Sequence, residues 1–214
     1  MIFSLYFGGI YKVFISSGIG GVNRVPRKFP GRTILIGYFQ TQFPFGDYEK
    51  ISHDSFIAGF KSISKYQQLK SKDLLEKKNL VIHVRLSDYL NEPKIGCLSH
   101  EYFGESIETL GFKPKKILIF SDNEKMAESE IKRVTSSQIE VFESENLSST
   151  ETLLMMGRAS NLIISNSSFS WWAATLATKL HNATIIAPNK WFAQQPDPNL
   201  LIPTWWKRTN ATWR

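Results

Sequence analysis

Arg85 and the run Ser165-Asn166-Ser167-Ser168 are the residues best equipped to hold an anion. Each follows directly on a short apolar stretch, Leu80-Val-Ile-His-Val84 for the arginine and Leu162-Ile-Ile164 for the serines. A guanidinium presents a planar fork of N–H donors that fits two oxygens of a phosphate at once. Serine and asparagine between a strand and a helix bring hydroxyls and unpaired backbone N–H groups to the positive end of the helix dipole. Converging at one point, the two groups would bind a phosphorylated ligand. Plainer readings stand beside this one. The serines could do no more than cap the helix that follows, and Arg85 could fold back on Asp88, three residues on. Asp122, just after Ile117-Leu-Ile-Phe120-Ser121, reads equally well as an N-cap. His83, two residues before Arg85, shares its strand face. A lone strand histidine is as a rule a packed, hydrogen-bonded core residue.

Other chemistries find less support. His53, His100 and His181 form no cluster with Cys97 at ligand spacing, and neither His-Glu-x-x-His nor an Asp-rich calcium loop occurs, so no metal site is expected. Gly-x-x-x-x-Gly-Lys-Ser/Thr, Gly-x-Gly-x-x-Gly after a strand, and Gly-x-Ser-x-Gly are all missing. Trp171, Trp172, Trp191, Trp205, Trp206 and Trp213 have the surfaces to stack bases or sugars, but aromatics at a helix start and in a tail are more often packing.

The elements that must position these residues are legible from Leu80 onward. Short β-rich runs, 80–84, 117–120, 139–142, 162–164 and 184–187, alternate with helix-length segments at about 100–110, 124–135, 149–158 and 168–180. Strands so short and so apolar belong to a sheet covered on both faces, hence an α/β fold with parallel strands and helical crossovers. In such sheets ligands gather at the carboxyl ends of the strands, where Arg85 and Ser165–Ser168 stand. Residues 1–36 show no sustained helical or strand period, 37–55 read as an aromatic loop, and 56–75 have near-helical apolar spacing. The expected division is 1–79, an N-terminal region with a linker helix, and 80–214, a Rossmann-like domain with a C-terminal tail.

Composition agrees with a globular protein. The 214 residues are 42% hydrophobic, 13% aromatic and 21% charged, with one cysteine that can make no internal disulfide. Lys and Arg number 26 against 19 Asp and Glu, a net +7 that suits nucleic acid or an acidic ligand. The basic residues are scattered and no nucleic-acid recognition motif appears, which favours the ligand. The greasy stretch from Met1 to Phe14 is broken by Gly8-Gly9 and Lys12 and is too short to cross a bilayer. It lacks a basic leader, so no signal peptide is expected and the cytoplasm is the default location, compatible with peripheral membrane association.

The strand-end residues together resemble glycosyltransferase family 11, the α-1,2-fucosyltransferases. His83-Val84-Arg85-Leu86-Ser87-Asp88-Tyr89 is similar to the family's His-x-Arg-Arg-Gly-Asp-Tyr, with Leu86 and Ser87 in place of Arg and Gly. Phe120-Ser121-Asp122-Asn123 resembles Phe-Ser-Asp-Asp, and Glu151 through Ala174 resembles the long motif ending Asn-Ser-Ser-Phe-Ser-Trp-Trp-Gly-Ala. Ala187-Pro188-Asn189-Lys190-Trp191-Phe192 is similar to Ala-Pro-x-x-Trp-Phe, Gly37-Tyr38-Phe39-Gln40 to Gly-Tyr-Trp/Phe-Gln, and Leu98-Ser-His-Glu-Tyr102 to Leu-x-x-x-Tyr. The resemblance implies a GT-B glycosyltransferase with an incomplete N-terminal, acceptor-side half. GDP-fucose would sit in the Rossmann-like half, and fucose would pass to a galactose 2-hydroxyl of a glycan with inversion. It further implies that Arg85 grips the donor's β-phosphate and, with Asp88, forms the catalytic pair. Ser167, with Ser168 as second choice, would donate to the diphosphate, Glu151 would lie on the guanine edge and His83 near the nucleoside. Asp88 and Asp122 would divide between holding Arg85 and ordering loops. No metal and no cofactor beyond the donor is implied. A second expectation is a non-catalytic GDP-sugar-binding remnant.

Overall fold

The computed structural model describes residues 11–15, 32–36, 72–143, 147–197 and 201–214. The aromatic segment 37–55, with its Gly37-Tyr38-Phe39-Gln40 motif, and residues 56–71 of the expected helix lie outside them. The chain divides into two compact units, Met1–Ser55 with Pro198–Pro203, and Phe56–Asp197 with Thr204–Arg214.

In the first unit β1 (Tyr11–Ile15) and β2 (Arg32–Ile36) pair in parallel, Val13 opposite Ile34. Residues 1–36, expected to lack strand character, therefore hold two strands. Each is five residues long and broken in pattern by a basic residue, and what makes it a strand is a partner about twenty positions away.

The second unit alternates as its apolar runs predict. It contains α1 (Lys72–Leu75), β3 (Asn79–Val84), a 3-10 turn (Ser87–Asn91), α2 (His100–Thr109), β4 (Lys116–Ser121), α3 (Glu124–Lys132), β5 (Gln138–Val141), α4 (Ser149–Met156), β6 (Asn161–Ile163), α5 (Ser168–His181), β7 (Thr184–Pro188) and β8 (Lys207–Thr209). The five expected runs and the four helices between them appear, with ends shifted by a few residues at most. β8 is an addition. Lys-Arg-Thr has no apolar signal and becomes a strand by pairing with Ile186–Pro188 of β7.

Strands β3 to β8 form one parallel sheet in the order β5-β4-β3-β6-β7-β8. Counted from β3 as first, that order is 3-2-1-4-5-6, the doubly wound Rossmann arrangement. The chain winds outward from β3 to β5, then returns to lay β6 on the other side of β3. All six residues of β3 are buried, as a central strand covered on both faces requires. One face carries Leu80, Ile82, Val84, Ile117, Ile119, Ile163 and Ile186, packed with Tyr102 and Phe103 of α2 and Ala127 and Ile131 of α3. The alternate residues Val81 and His83 face the other way, where the Ser170 hydroxyl of α5 meets His83.

The helices end for local reasons. Ser148 and Glu151 close a capping box at the start of α4, and Asn182 ends α5 in the left-handed region at φ 50°. No helix among the described residues is long and apolar enough to cross a membrane.

Ile119, fully buried in β4, anchors the α2/α3 face of the sheet. Ile119→Ala is expected to cost about 2–5 kcal/mol, read in urea as a lower midpoint at unchanged slope.

Candidate functional site

The strand order reverses between β3 and β6, where two neighbouring strands send their connections in opposite directions, the place at which open parallel sheets bind ligands. Arg85 leaves the end of β3 and Ser165–Ser168 leave the end of β6, so the two candidate anion groups flank that point. Regular pairing of β3 with β6 is short, Val81 with Leu162 and Ile82 with Ile163. Beyond it the Ser165 hydroxyl takes over. It accepts from the Arg85 backbone N–H at 3.0 Å and donates to the His83 carbonyl at 2.8 Å. A side chain thus extends the ladder and holds the backbone of Arg85 against the entrance to α5.

The Arg85 guanidinium is held between two carboxylates, Asp88 Oδ1 at 2.8 Å from Nη2 and Asp122 Oδ2 at 3.1 Å from Nη1. Its Nε is buried with no partner among the described residues. The fold-back onto Asp88 weighed from sequence is present, and Asp122 joins it from the neighbouring strand. The N-cap reading of Asp122 is corrected: Asn123 caps α3, accepting from Met126 N at 3.2 Å. Asp122 instead accepts from Leu86 N at 2.9 Å, and its carbonyl accepts from the Ser87 hydroxyl at 3.2 Å. The reason is reach, since β4 lies beside β3 and the β4 end meets the turn that follows Arg85. The two acids differ in setting, for the Asp88 side chain is 59% exposed and that of Asp122 20%.

Ser167 occupies the N-cap position of α5 with extended backbone, yet its side chain makes no capping hydrogen bond. The capping alternative is therefore not what its hydroxyl does. The residue is buried, and Tyr89, on the turn that follows Arg85, holds its ring 5.4 Å from the Arg85 guanidinium carbon. Ser168, half-buried, begins the helix itself.

His83 takes the packed role. Its Nδ1 lies 2.8 Å from Ser170 Oγ and its ring 5.7 Å from that of Phe169. Because Ser170 donates to the Ser165 carbonyl at 3.3 Å, the network assigns the ring proton to Nδ1. Burial, with the Arg85 charge adding to it and Asp122 opposing, lowers the His83 pKa from 6.5 to about 4. The ring is neutral at neutral pH. Glu151 is engaged locally, its carboxylate accepting from the Ser148 backbone N–H at 2.9 Å and from the Ser148 hydroxyl at 2.7 Å, which hold it below the usual carboxylate range. It sits in the first turn of the helix that follows β5, on the same edge of the parallel sheet as Arg85 and Ser167.

Asn166 was legible only as one polar residue among four. It is buried, and its amide nitrogen lies 3.0 Å from the Gly96 carbonyl, 3.1 Å from that of Trp191 and 3.3 Å from that of Ile95. Two N–H groups thus gather three carbonyls from two loops against the start of α5. Gly96 permits this at φ +82°, with Trp213 Cε3 and Ala193 Cβ each 2.6 Å from where a Cβ would stand. Asp197 secures the second loop, accepting from Trp191 N at 2.7 Å and Phe192 N at 3.1 Å. A buried asparagine that binds backbone has no spacing signature, which is why sequence reading passes over it. Among the described residues no three His, Cys, Asp or Glu side chains are grouped to hold a metal ion.

In sum, this edge offers a guanidinium, a serine hydroxyl free of capping duty and a helix N-terminus, which can bind a phosphate or diphosphate. Comparison with known proteins gives a family match and several partial likenesses. A family model described as glycosyl transferase family 11 matches residues 28–205. The chain is 30% identical over 130 residues to the O-antigen biosynthesis glycosyltransferase WbnK of Escherichia coli, covering 58% of this chain and 42% of that protein. It is 29% identical over 120 residues to an Escherichia coli alpha-1,2-colitosyltransferase, covering 53% and 41%. The chain thus spans about two fifths of the length of these curated relatives. Among solved structures, POFUT1 in complex with GDP is similar at a TM-score of 0.43 and 16% identity, over 58% of this chain and 46% of that one.

Two outcomes follow from the geometry. Asp122→Asn should destabilise by about 1–3 kcal/mol, because a charge-assisted bond to a backbone N–H and a partly buried ion pair weaken together. Asp88→Asn should stay within about 0.5 kcal/mol, as exposed pairs do; urea midpoints measure both. Second, His83 is protonated more readily unfolded than folded, so its neutral form contributes stability that is fully present above pH 6.5. That contribution is lost as pH falls from 6.5 toward about 4 and levels off below. His83→Gln should remove this part of the acid slope, seen as urea midpoints that change less between pH 7 and 4.

Proposed function

The chain belongs to glycosyl transferase family 11, and from that premise we propose that it transfers fucose from GDP-fucose to the 2-hydroxyl of a galactose-terminated glycan, with inversion. The parallel-sheet unit is read as the donor-binding half of a GT-B-type enzyme, 80–214, with 1–79 on the acceptor side. A cytoplasmic location, peripheral to the membrane, goes with that reading. The observation that carries it is the placement of Arg85 and Ser167 on either side of the β3/β6 reversal, the Arg85 backbone being tied through Ser165 to the segment that leads into Ser167.

The chemistry suits these groups. As GDP departs, negative charge builds on the β-phosphate while the fucosyl ring gains oxocarbenium character. In this reading Arg85, the Ser167 hydroxyl and the α5 N-terminus turn their positive ends to that charge and stabilise the transition state more than the ground state. Asp88 and Asp122 leave the guanidinium overcompensated, one positive charge against two negative. Asp88, more exposed and held by a single ion pair, is the partner a phosphate displaces. Asp122 stays and keeps Arg85 aimed. Ser168 is the second-choice donor to the diphosphate, His83 supplies a neutral wall near the nucleoside, and Glu151, turned from its capping box, reaches the guanine edge.

A second donor sugar is favoured by one observation, the similarity to an alpha-1,2-colitosyltransferase. GDP release from GDP-fucose and from GDP-colitose, with and without galactosides, separates the two. Stimulation by a galactoside with only one donor names the sugar. GDP binding without stimulation by any acceptor leaves a GDP-sugar-binding protein, and binding of UDP in preference to GDP overturns the donor reading. Arg85→Ala should lower kcat/KM by about 10²–10³, by analogy with the loss of an oxyanion-hole donor, while the protein stays folded. Unchanged GDP-fucose turnover in this variant would make Arg85 structural.

A further inference from the structure

We propose that the amino-terminal edge of the parallel sheet, opposite the candidate site, is a docking surface for an anionic lipid bilayer; the proposal rests on the peripheral location read above and gives it a face. All six strands of the sheet begin along this edge. Lys77 and Lys78 lead into β3 and Lys113 and Lys115 into β4, and the Lys115 backbone N–H donates to the Lys78 carbonyl at 2.8 Å, which brings the two segments side by side. All four lysines are exposed. None makes an ion pair among the described residues, whereas Lys116, one position on, is held by Asp73 at 2.8 Å and Glu140 at 2.9 Å. Two carboxylates of this corner are thus spent on a fifth lysine. Glu76, exposed beside the cluster, offsets one of its four charges, and the corner stays positive.

Four strand spacings along the same edge, about 20 Å, Trp205 stands just before β8 and is 59% exposed. Its neighbour Trp206 is buried, with the indole N–H donating to Thr178 at 3.1 Å, so one tryptophan anchors the connection and the other is left in solvent. Lys207, also exposed, follows. Lysine ammonium groups are point charges on flexible stems, suited to a diffuse anionic surface where arginine would suit a fixed pair of oxygens. An exposed tryptophan with lysines around it is the composition that settles at a membrane interface, the ring among the headgroups and the ammonium groups on their phosphates. Docked this way, the sheet stands on the bilayer by its strand starts. The carboxyl edge, with Arg85 and Ser167, faces away from it.

Sedimentation of the full chain with vesicles of phosphatidylcholine, with and without phosphatidylglycerol, tests the face. The wild type is expected to bind only the anionic vesicles and to come off as salt rises. Each lysine should contribute about fivefold, so Lys77→Gln, Lys78→Gln, Lys113→Gln and Lys115→Gln combined should lower the partition by at least about 10². Trp205→Ala should weaken it separately. Lys125→Gln with Lys190→Gln, which removes charge from the carboxyl edge, should leave it within about threefold. GDP titrations and melting temperatures of the same variants should match the wild type. A wild type that binds no anionic vesicle would bring down the peripheral location itself. Binding that survives loss of the four lysines, or falls as far in the carboxyl-edge variant, would overturn this face alone. An oligonucleotide held more tightly than the vesicles, and released by the same four substitutions, would make the edge a nucleic-acid surface instead.

Discussion

One serine hydroxyl joins the two halves of the sheet where they part. Between β3 and β6 the backbone ladder runs out after two residue pairs, and Ser165 continues it with a side chain, accepting from Arg85 N and donating to His83 O. The geometry of the candidate site hangs on that contact. It sets how the chain leaves β3, hence where the Arg85 guanidinium can reach. It also holds the first residue after Ile164, and with it the direction in which Asn166, Ser167 and α5 depart. A reversal point in a parallel sheet is an opening by construction. What makes this one a candidate site is that both departing chains are tied together at their bases.

Around that contact the structure divides buried polar groups by task. Ser165, Asn166 and Ser170 spend their hydrogen bonds on backbone or on His83, and all are buried. They act as a frame, since a buried polar group with a fixed partner has one orientation and is costly to disturb. Arg85 and Asp88, with the Tyr89 ring beside the guanidinium, form a second set whose partners are one another. Their interactions can be exchanged for those of a ligand with little change in the number of satisfied groups. A rigid frame beneath an exchangeable set is the arrangement that preorganised electrostatic stabilisation requires.

Much of this was legible in advance. The five apolar runs and the four helices between them sit where hydrophobic patterning places them, because strands covered on both faces are apolar throughout and amphipathic helices repeat at 3.6 residues. Arg85 and Ser167 could be picked out because the rule about strand carboxyl ends needs only the strand boundaries. The strands β1, β2 and β8 were not legible. Their residues are mixed, and each becomes a strand only through a partner distant in the chain. Asp122 shows the same limit in a side chain, since a cap and a cross-strand ligand look alike until the neighbouring strand is known.

The sequence alone determined the alternation of elements, the side of the sheet on which chemistry could occur, and the family to which the chain belongs. These depend on local composition and on motifs a few residues long. Only the tertiary structure decided which strand lies beside which, and so that Asp122 meets Arg85, that Ser165 joins Arg85 N to the His83 carbonyl, and that Asn166 gathers carbonyls from two loops. Such pairings join residues up to about eighty positions apart. They are selected by the packing of the whole sheet and leave no trace in the spacing of their own residues.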